Sequence, residues 1–558
     1  MSSTFTLLRQ FDPVGVHAAA QAWRALSREA EEAETRHRHQ VNGPLRHAQW
    51  QGRDADSAFH AMERTEQILE VVRVEAEAAA LILDTVADRM DQARTNLLNA
   101  LRRADEWGLP VSPDGAVGLP PQSAPQHHDP DPGADALMLL RSQLQARIDA
   151  AVAGAREAGE QGAQALGRLD ADVLTAPRTF GAAAESARDA ADVAKDLGLV
   201  APAVPASMDP RQAAAWWAAL TPDQQQSLSA LHPAEIGRLD GLPSAVRDRA
   251  NRLLLEQQSD ALHVGAPEGA GPTYGEYSRR ENALRALKNR LDRADGEPED
   301  RQLYLLALDP RGDGRAVVAT GDPDTADHTA VLVPGTGTTL AGMPGQIDRA
   351  AALRTEAARA AGPGSRVSVI SWLGYDAPEL DASMATTDRA EQGAADMRRF
   401  TEGVRTAQGD RHGHLTVIGH SYGTTAVGVA ARGGDGLGAD DIIGVASPGM
   451  GTDRAEKLHI DPAHVWLGTA PDDPISNAAG LTLGPDPARA EFGGRTFGVD
   501  THGHSGYWDP DSQSLANQGR IIAGLQPAPT PAPAPPAAPL APHDEPAAPD
   551  HRRLRAAG

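Results

Sequence analysis

The stretch LTVIGHSYGTTAVGVAARG, residues 415–433, holds a serine between two glycines at the spacing Gly419-x-Ser421-x-Gly423. G-x-S-x-G is the pattern of a nucleophile elbow, in which a sharp strand-to-helix turn presents a serine hydroxyl above a sheet. The turn is strained and crowded, so side chains two residues to either side of the serine would collide. In a chain with 55 glycines the pentapeptide alone is a weak signal. Its surroundings strengthen it, because a β-rich run leads into it and a helix-compatible run leads out.

An elbow also predicts the chain order of its partners, serine first, then an acid, then a histidine. Downstream, HVWLGTAPDDPIS reads as a strand whose carboxyl end delivers Asp472 and Asp473 into a loop. Open α/β sheets place their site residues at that end of the strands. Further on, VDTHGHSGYWDP supplies His502 and His504. The order fits, with either aspartate and either histidine open. For the oxyanion, the Tyr422 N–H is one expected donor and the loop VLVPGTGTTLAG the source of the other, with Thr336 after Gly335 the best placed. Read as a phosphate loop, GTGTT lacks both the P-loop lysine and the GxGxxG spacing.

Other side chains near these motifs have plainer readings. His420, beside the nucleophile, reads as packing or pocket lining. Trp372 and Tyr375 of WLGYDAP line an acyl or alcohol pocket or pack the core. Asp376 is an alternative acid, but it precedes the serine and breaks the expected order. The pairs His502/His504 and His412/His414 have no third ligand in a metal-binding pattern, so neither a metal nor another cofactor is expected.

These residues need a sheet to hold them, and from about residue 300 the chain provides one. YLLAL, AVVAT, TAVLVPG, VSVISWLG, LTVIGH, IIGVASPG and VWLGTA alternate with helical stretches. Near-continuous apolar runs with helices between them predict a mostly parallel sheet covered on both faces. The short link DPRGDGR predicts that the first two runs pair antiparallel.

The preceding half reads as all-helical. Val16, Ala19, Trp23, Leu26, Ala30, Ala33 and His37 step by three and four. So do Met62, Leu69, Val72, Ala76, Ala79, Leu83, Val86, Met90, Ala93 and Leu97, which predicts two long helices sharing an apolar seam. Between them lies NGPLRHAQWQGRDA, with Trp50-Gln51-Gly52. The expected organisation is a helical hairpin over 1–107, a Pro/Gly linker over 108–133 and an Ala-rich helical segment over 134–200. Short helices anchored by Trp216 and Trp217 follow over 208–262, then the α/β domain over 265–525 and a disordered Pro/Ala tail over 526–558.

Bulk composition bounds the function. A formal charge of −24 argues against nucleic acid as a partner, since phosphate neutralisation needs clustered Lys and Arg. With no cysteine there is no disulfide, thiol nucleophile or Cys-bound zinc. The start of the chain lacks the charged and apolar regions of a Sec signal peptide, and no run of about 18 apolar residues exists to span a membrane. The chain is expected to be cytoplasmic or exported by a route that needs no cleaved signal.

Two resemblances add to this reading. GTGTTLAG, WLGYDAP, GHSYGT, an SPG strand end, a late D-P-I and a terminal GHSGYW occur in that order, and together they resemble an actinobacterial α/β-hydrolase family long catalogued as a domain of unknown function. The likeness covers roughly residues 265–525. It implies a Ser-Asp-His triad in which the D-x-I pattern selects Asp473 and the H-S-x-Y pattern selects His504. The Trp-x-Gly turn of the N-terminal hairpin is similar to WXG-type proteins exported by type VII secretion systems, although LRRADEWGLP lacks the tyrosine of their usual export signal. The resulting expectation is a serine hydrolase acting on an acyl ester or lipid. The second expectation is an exported interaction protein whose residues 1–107 meet a secretion apparatus or a helical partner.

Overall fold

The computed structural model describes residues 4–48, 50–120, 132–169, 182–197, 204, 208–263, 274–477, 480 and 482–528. Residues 121–131 of the expected linker and 529–558 of the expected tail lie outside that set. The helical half comprises α1 (Thr4–Gln10), α2 (Pro13–His37), α3 (Gly43–His47), α4 (Arg53–Glu106), α5 (Pro132–Leu166) and α6 (Ala182–Asp196). It continues with α7 (Pro210–Ala219), α8 (Pro222–Leu231), α9 (Pro233–Gly237), α10 (Ser244–His263) and α11 (Tyr274–Ala294).

Helix α4 has 54 residues, about 80 Å at 1.5 Å per residue, and α2 lies antiparallel along it. The direction follows from the pairs His17–Asp84, Arg24–Glu77, Arg73–Glu34 and His37–Glu66. The apolar seam expected for this hairpin closes it only in part: Ala30, Ala76, Ala79, Ala93 and Leu97 are buried, but polar groups share the interface. The face that α2 buries is Ala20, Arg24, Ser27 and Ala30, while Trp23 and Leu26 stay 37% and 39% exposed. The opposing stretch of α4 explains this, since Glu66, Glu70, Arg73 and Glu77 are buried there and need charged or polar partners. Residues 109–118, expected as linker, are packed. Val111 bridges to Val117, and Leu109 and Val117 are buried beside Phe5 and Leu97. Trp217 is buried with Leu228, Ile236 and Leu242 under the short helices.

The second half is an eight-stranded sheet. Its strands are β1 (Leu303–Asp309), β2 (Arg315–Thr320), β3 (His328–Val333), β4 (Val367–Leu373), β5 (His414–His420), β6 (Asp441–Val445), β7 (Val465–Gly468) and β8 (Arg495–Thr496). The spatial order is β1-β2-β4-β3-β5-β6-β7-β8. Strand β2 is antiparallel to both neighbours, and β4 through β8 run parallel. The seven strands read from the sequence are all present. Strand β8, with two exposed residues, carries no apolar run to signal it.

Helices α12 (Met343–Ala361) and α15 (Gln513–Ile522) cover one face, and α13 (Asp388–Gln408) and α14 (Tyr422–Ala431) cover the other. Consecutive strand residues divide between them, as a period of two requires. Val369, Ile418 and Ile443 pack with Leu353 and Ile521, while Ile370, Val417 and Ile442 pack with Met397, Phe400 and Val427. The architecture is therefore a helical N-terminal region followed by a mostly parallel α/β-hydrolase sheet. Among the described residues no helix is long and apolar enough to cross a membrane.

Glu77 has a fully buried side chain, and Arg24 is its cationic neighbour at 3.5 Å. Truncating Arg24 leaves buried Glu77 with only the neutral donors Gln226 and Ser227. The substitution Arg24→Ala is expected to destabilise the helical half by about 3 kcal/mol, seen as an earlier urea transition in far-UV circular dichroism.

Candidate active site

Ser421 sits between β5 and α14 with φ 54° and ψ −129°, a conformation a side-chain-bearing residue adopts only under constraint. The constraint is visible in the flanking glycines. A Cβ on Gly423 would stand 2.2 Å from the Val333 carbonyl oxygen, and one on Gly419 would stand 2.6 Å from Thr424 Cα. The start of α14 is also tied to the end of β6. Thr424 Oγ1 donates to the Ser421 carbonyl at 2.7 Å and lies 2.6 Å from Ser447 Oγ, while Thr425 Oγ1 donates to the Gly449 carbonyl at 2.7 Å. These contacts give the Ser447-Pro448-Gly449 segment a structural reason.

His504 stands over the serine, with Nε2 3.0 Å from Ser421 Oγ and Nδ1 2.9 Å and 3.0 Å from the two Asp473 oxygens. The tautomer that satisfies both contacts carries its proton on Nδ1, so that Nε2 accepts from the serine hydroxyl. The Asp473 side chain is fully buried. It also accepts from the Ile475 amide at 3.0 Å and from the Tyr507 hydroxyl at 2.8 Å. Tyr507 in turn accepts from the Ala470 amide at 2.9 Å, and burial raises its hydroxyl above the usual phenol range, so it stays a donor to the carboxylate.

Of the alternatives left open by the residues, the structure brings together Ser421, Asp473 and His504. Asp472 and His502 form a second, exposed pair. Asp472 accepts from His502 Nδ1 at 3.3 Å and from the Gly503 amide at 2.9 Å. Asp376 is engaged by Arg389. His414 pairs with Asp441 at 2.9 Å, and among the described residues no group of three His, Asp or Glu side chains converges as a metal cage would.

The loop after β3 approaches the elbow closely. A Cβ on Gly335 would fall 2.8 Å from Ser421 Cβ and 3.1 Å from the Tyr422 amide nitrogen. Tyr422 N–H opens α14 and, like any first-turn amide, has no acceptor within its helix. Thr336 N–H has no backbone acceptor among the described residues. The loop is braced by Tyr375, whose hydroxyl donates to the Pro334 carbonyl at 2.7 Å, and by Gly337 N–H, which donates to the Pro378 carbonyl at 2.8 Å. Tyr375 and Trp372 take the core-packing alternative around this loop, and Trp372 also borders a cleft with Arg399 and Phe400. Tyr375 and Trp372 are stacked at 6.1 Å and buried to within 2% of full coverage.

His420 is held as a packing residue. It is 7% exposed, its Nε2–H donates to the His504 backbone carbonyl at 2.9 Å, and its ring meets the edge of Trp508 at 4.9 Å. Burial pushes its pKa down to about 3, with the His504 and Arg349 charges opposing protonation as well. It therefore acts as a neutral donor that fixes the His504 loop. Sequence reading gave Tyr507 and Trp508 no role, although both lie in the GHSGYW motif that selected His504.

A sequence model of a protein family described as "Alpha/beta hydrolase" matches residues 309–483. The uncharacterized protein Rv2079 of Mycobacterium tuberculosis is 33% identical over 360 residues, which cover 55% of this chain and 55% of that protein. The uncharacterized proteins Rv0963c of M. tuberculosis and Mb0988c of Mycobacterium bovis are each 30% identical over 203 residues, 35% of this chain and 73% of each relative. The chain thus spans about half the length of the first of these relatives.

The depressed pKa of His420 has a sign. Its folded value of about 3 lies below the unfolded value of about 6.5, so the unfolded chain binds the extra proton between them. Stability contributed by this residue is present above about pH 6.5 and is lost as pH falls toward 3. Thermal midpoints recorded from pH 7 to pH 4 should fall less steeply for His420→Gln than for the unsubstituted protein.

Proposed function

Because the chain belongs to the alpha/beta hydrolase family, we propose that it is a serine hydrolase that cleaves carboxylic esters through an acyl-enzyme. The observation that carries this reading is the continuous line of contacts from Ser421 Oγ through the His504 ring to the buried Asp473 carboxylate. In the first step His504 Nε2 takes the Ser421 proton as Oγ attacks the ester carbonyl, and Asp473 stabilises the imidazolium that results. The tetrahedral oxyanion receives hydrogen bonds from the Tyr422 and Thr336 amides. Collapse expels the alcohol, which leaves with the proton from His504. Water then attacks the acyl-enzyme with His504 again as base, releasing the acid and restoring Ser421.

The segment between β4 and α13 supports an apolar acyl group. Leu380 is 84% exposed and Met384 41% exposed, on the segment whose Pro378 carbonyl braces the loop that carries Thr336. The substrate class proposed is therefore an acyl ester or lipid, with no cofactor needed for the reaction.

A second reading concerns export. Trp50 is 42% exposed at the turn between α2 and α4, edge-on to Phe59 at 6.0 Å, and Gly52 caps α4 with φ 105°. These features support a WXG-type role for residues 1–107, in which the hairpin engages a type VII apparatus or a partner helix. That reading is compatible with an active hydrolase. It expects the intact chain in culture medium and its retention in cells when Trp50→Ala and Gly52→Ala are combined. Equal export of the double variant would remove it.

For the hydrolase reading, Ser421→Ala should abolish covalent labelling by a fluorophosphonate probe. The substitution Asp473→Asn should lower kcat on p-nitrophenyl acyl esters by about 10⁴ while the fold is kept. Undiminished labelling of Ser421→Ala overturns the assignment.

A further inference from the structure

At the end of the sheet opposite Ser421, α11, α12 and the last residue of β2 surround a cleft of about 830 Å³. The placement follows from register. Thr320 ends β2 beside Val369 near the start of β4, whereas Ser421 follows the last residue of β5. The chain carries a formal charge of −24, yet this cleft is lined by Arg290, Arg293, Arg301 and Arg354 against only Glu297 and Asp348.

The arginines are unequally committed. Arg290 meets Asp348 at 3.2 Å and Arg301 meets Glu297 at 3.8 Å, both partly or largely exposed pairs of modest strength. Arg293 is exposed and has no carboxylate partner among the described residues. Arg354 is different, since its side chain is only 7% exposed and reaches Asp300, a carboxylate 60% exposed, at 3.0 Å. A buried guanidinium facing a cleft is expensive unless something anionic completes its surroundings. Thr320, also on the lining, has a buried hydroxyl with no hydrogen-bond partner among the described residues. The apolar part of the wall is alanine and proline alone, which leaves no seat for an alkyl chain.

We propose that this cleft binds a small, multiply charged phosphorylated anion, held by Arg293, Arg301 and Arg354. Guanidinium forks match phosphate oxygens two at a time, which favours such oxyanions over a single chloride-like charge. The ligand would bridge α11 of the helical half and α12 of the hydrolase sheet, and so tie the two halves together. This site is separate from the ester-cleaving one and does not depend on that reading.

The test is calorimetric titration of the full chain with inorganic pyrophosphate at low ionic strength. One-to-one binding is expected, weakened at least about tenfold by Arg293→Glu and by Arg354→Gln, since charge-assisted hydrogen bonds are lost. Ser421→Ala should bind as the unsubstituted protein does, which keeps this result distinct from any failure of the esterase assignment. Arg293 is exposed, so its variant decides the matter even if Arg354→Gln does not fold. Unchanged affinity in Arg293→Glu, or no binding up to about 10 mM pyrophosphate, overturns the proposal.

Discussion

The site depends on one strained residue. Ser421 holds a backbone conformation that costs on the order of 1–3 kcal/mol for a residue with a side chain, and it holds it because everything around it leaves no other place to go. Its amide donates to the Val445 carbonyl at 3.1 Å, its own carbonyl takes two bonds from Thr424, and α14 departs with every residue buried. Gly423 lets the helix begin almost in contact with the end of β3. That contact brings the β3 loop beside the elbow, so strain at Ser421 and the close approach of Gly335 share a cause.

The histidine side of the site is held by a different device. His504 lies on a long loop with little secondary structure, and its position is set from several directions. Asp473 and Asp472, consecutive in the chain, take the His504 ring and the Gly503 amide respectively. His420 holds the His504 carbonyl from the strand that leads into Ser421, and Tyr507 anchors Asp473 from the far end of the same loop. A neutral His420 serves this better than a charged one, because a cation five ångströms from the His504 ring would oppose protonation of that ring.

Where α2 packs on α4, the helical half follows another logic, with charged groups buried and Trp23 left exposed. Glu70 is buried with neither carboxylate oxygen hydrogen-bonded among the described residues, and burial pushes it well above the usual carboxylate range, with Glu256 and Glu34 adding to the effect. Arg252, anchored to Asp248 and Asp295, also donates to the Leu303 carbonyl, and Asn251 donates to the Leu305 carbonyl, so α10 is stitched to β1 through buried polar groups. The two halves meet through these polar links and through apolar packing of Leu254, Leu255, Leu284 and Leu287 against the sheet.

What the residues determined alone was everything local in cause. Near-continuous apolar runs marked seven strands, because both faces of each are covered. G-x-S-x-G marked the elbow, because only glycines fit beside that turn. What the tertiary structure decided was everything that turns on which side a residue faces. Asp472 and Asp473 are chemically identical neighbours, and so nearly are His502 and His504; one pair is exposed and the other lies under the loop against Ser421. Motif resemblance could favour one pair, but no spacing in the chain distinguishes them. The same holds for Trp372 and Tyr375, whose aromatic character suits a pocket as well as a core, and for α2, whose apolar stripe lies outside because α4 presents charges. Strand β8, two residues long, exists only because β7 offers it an edge.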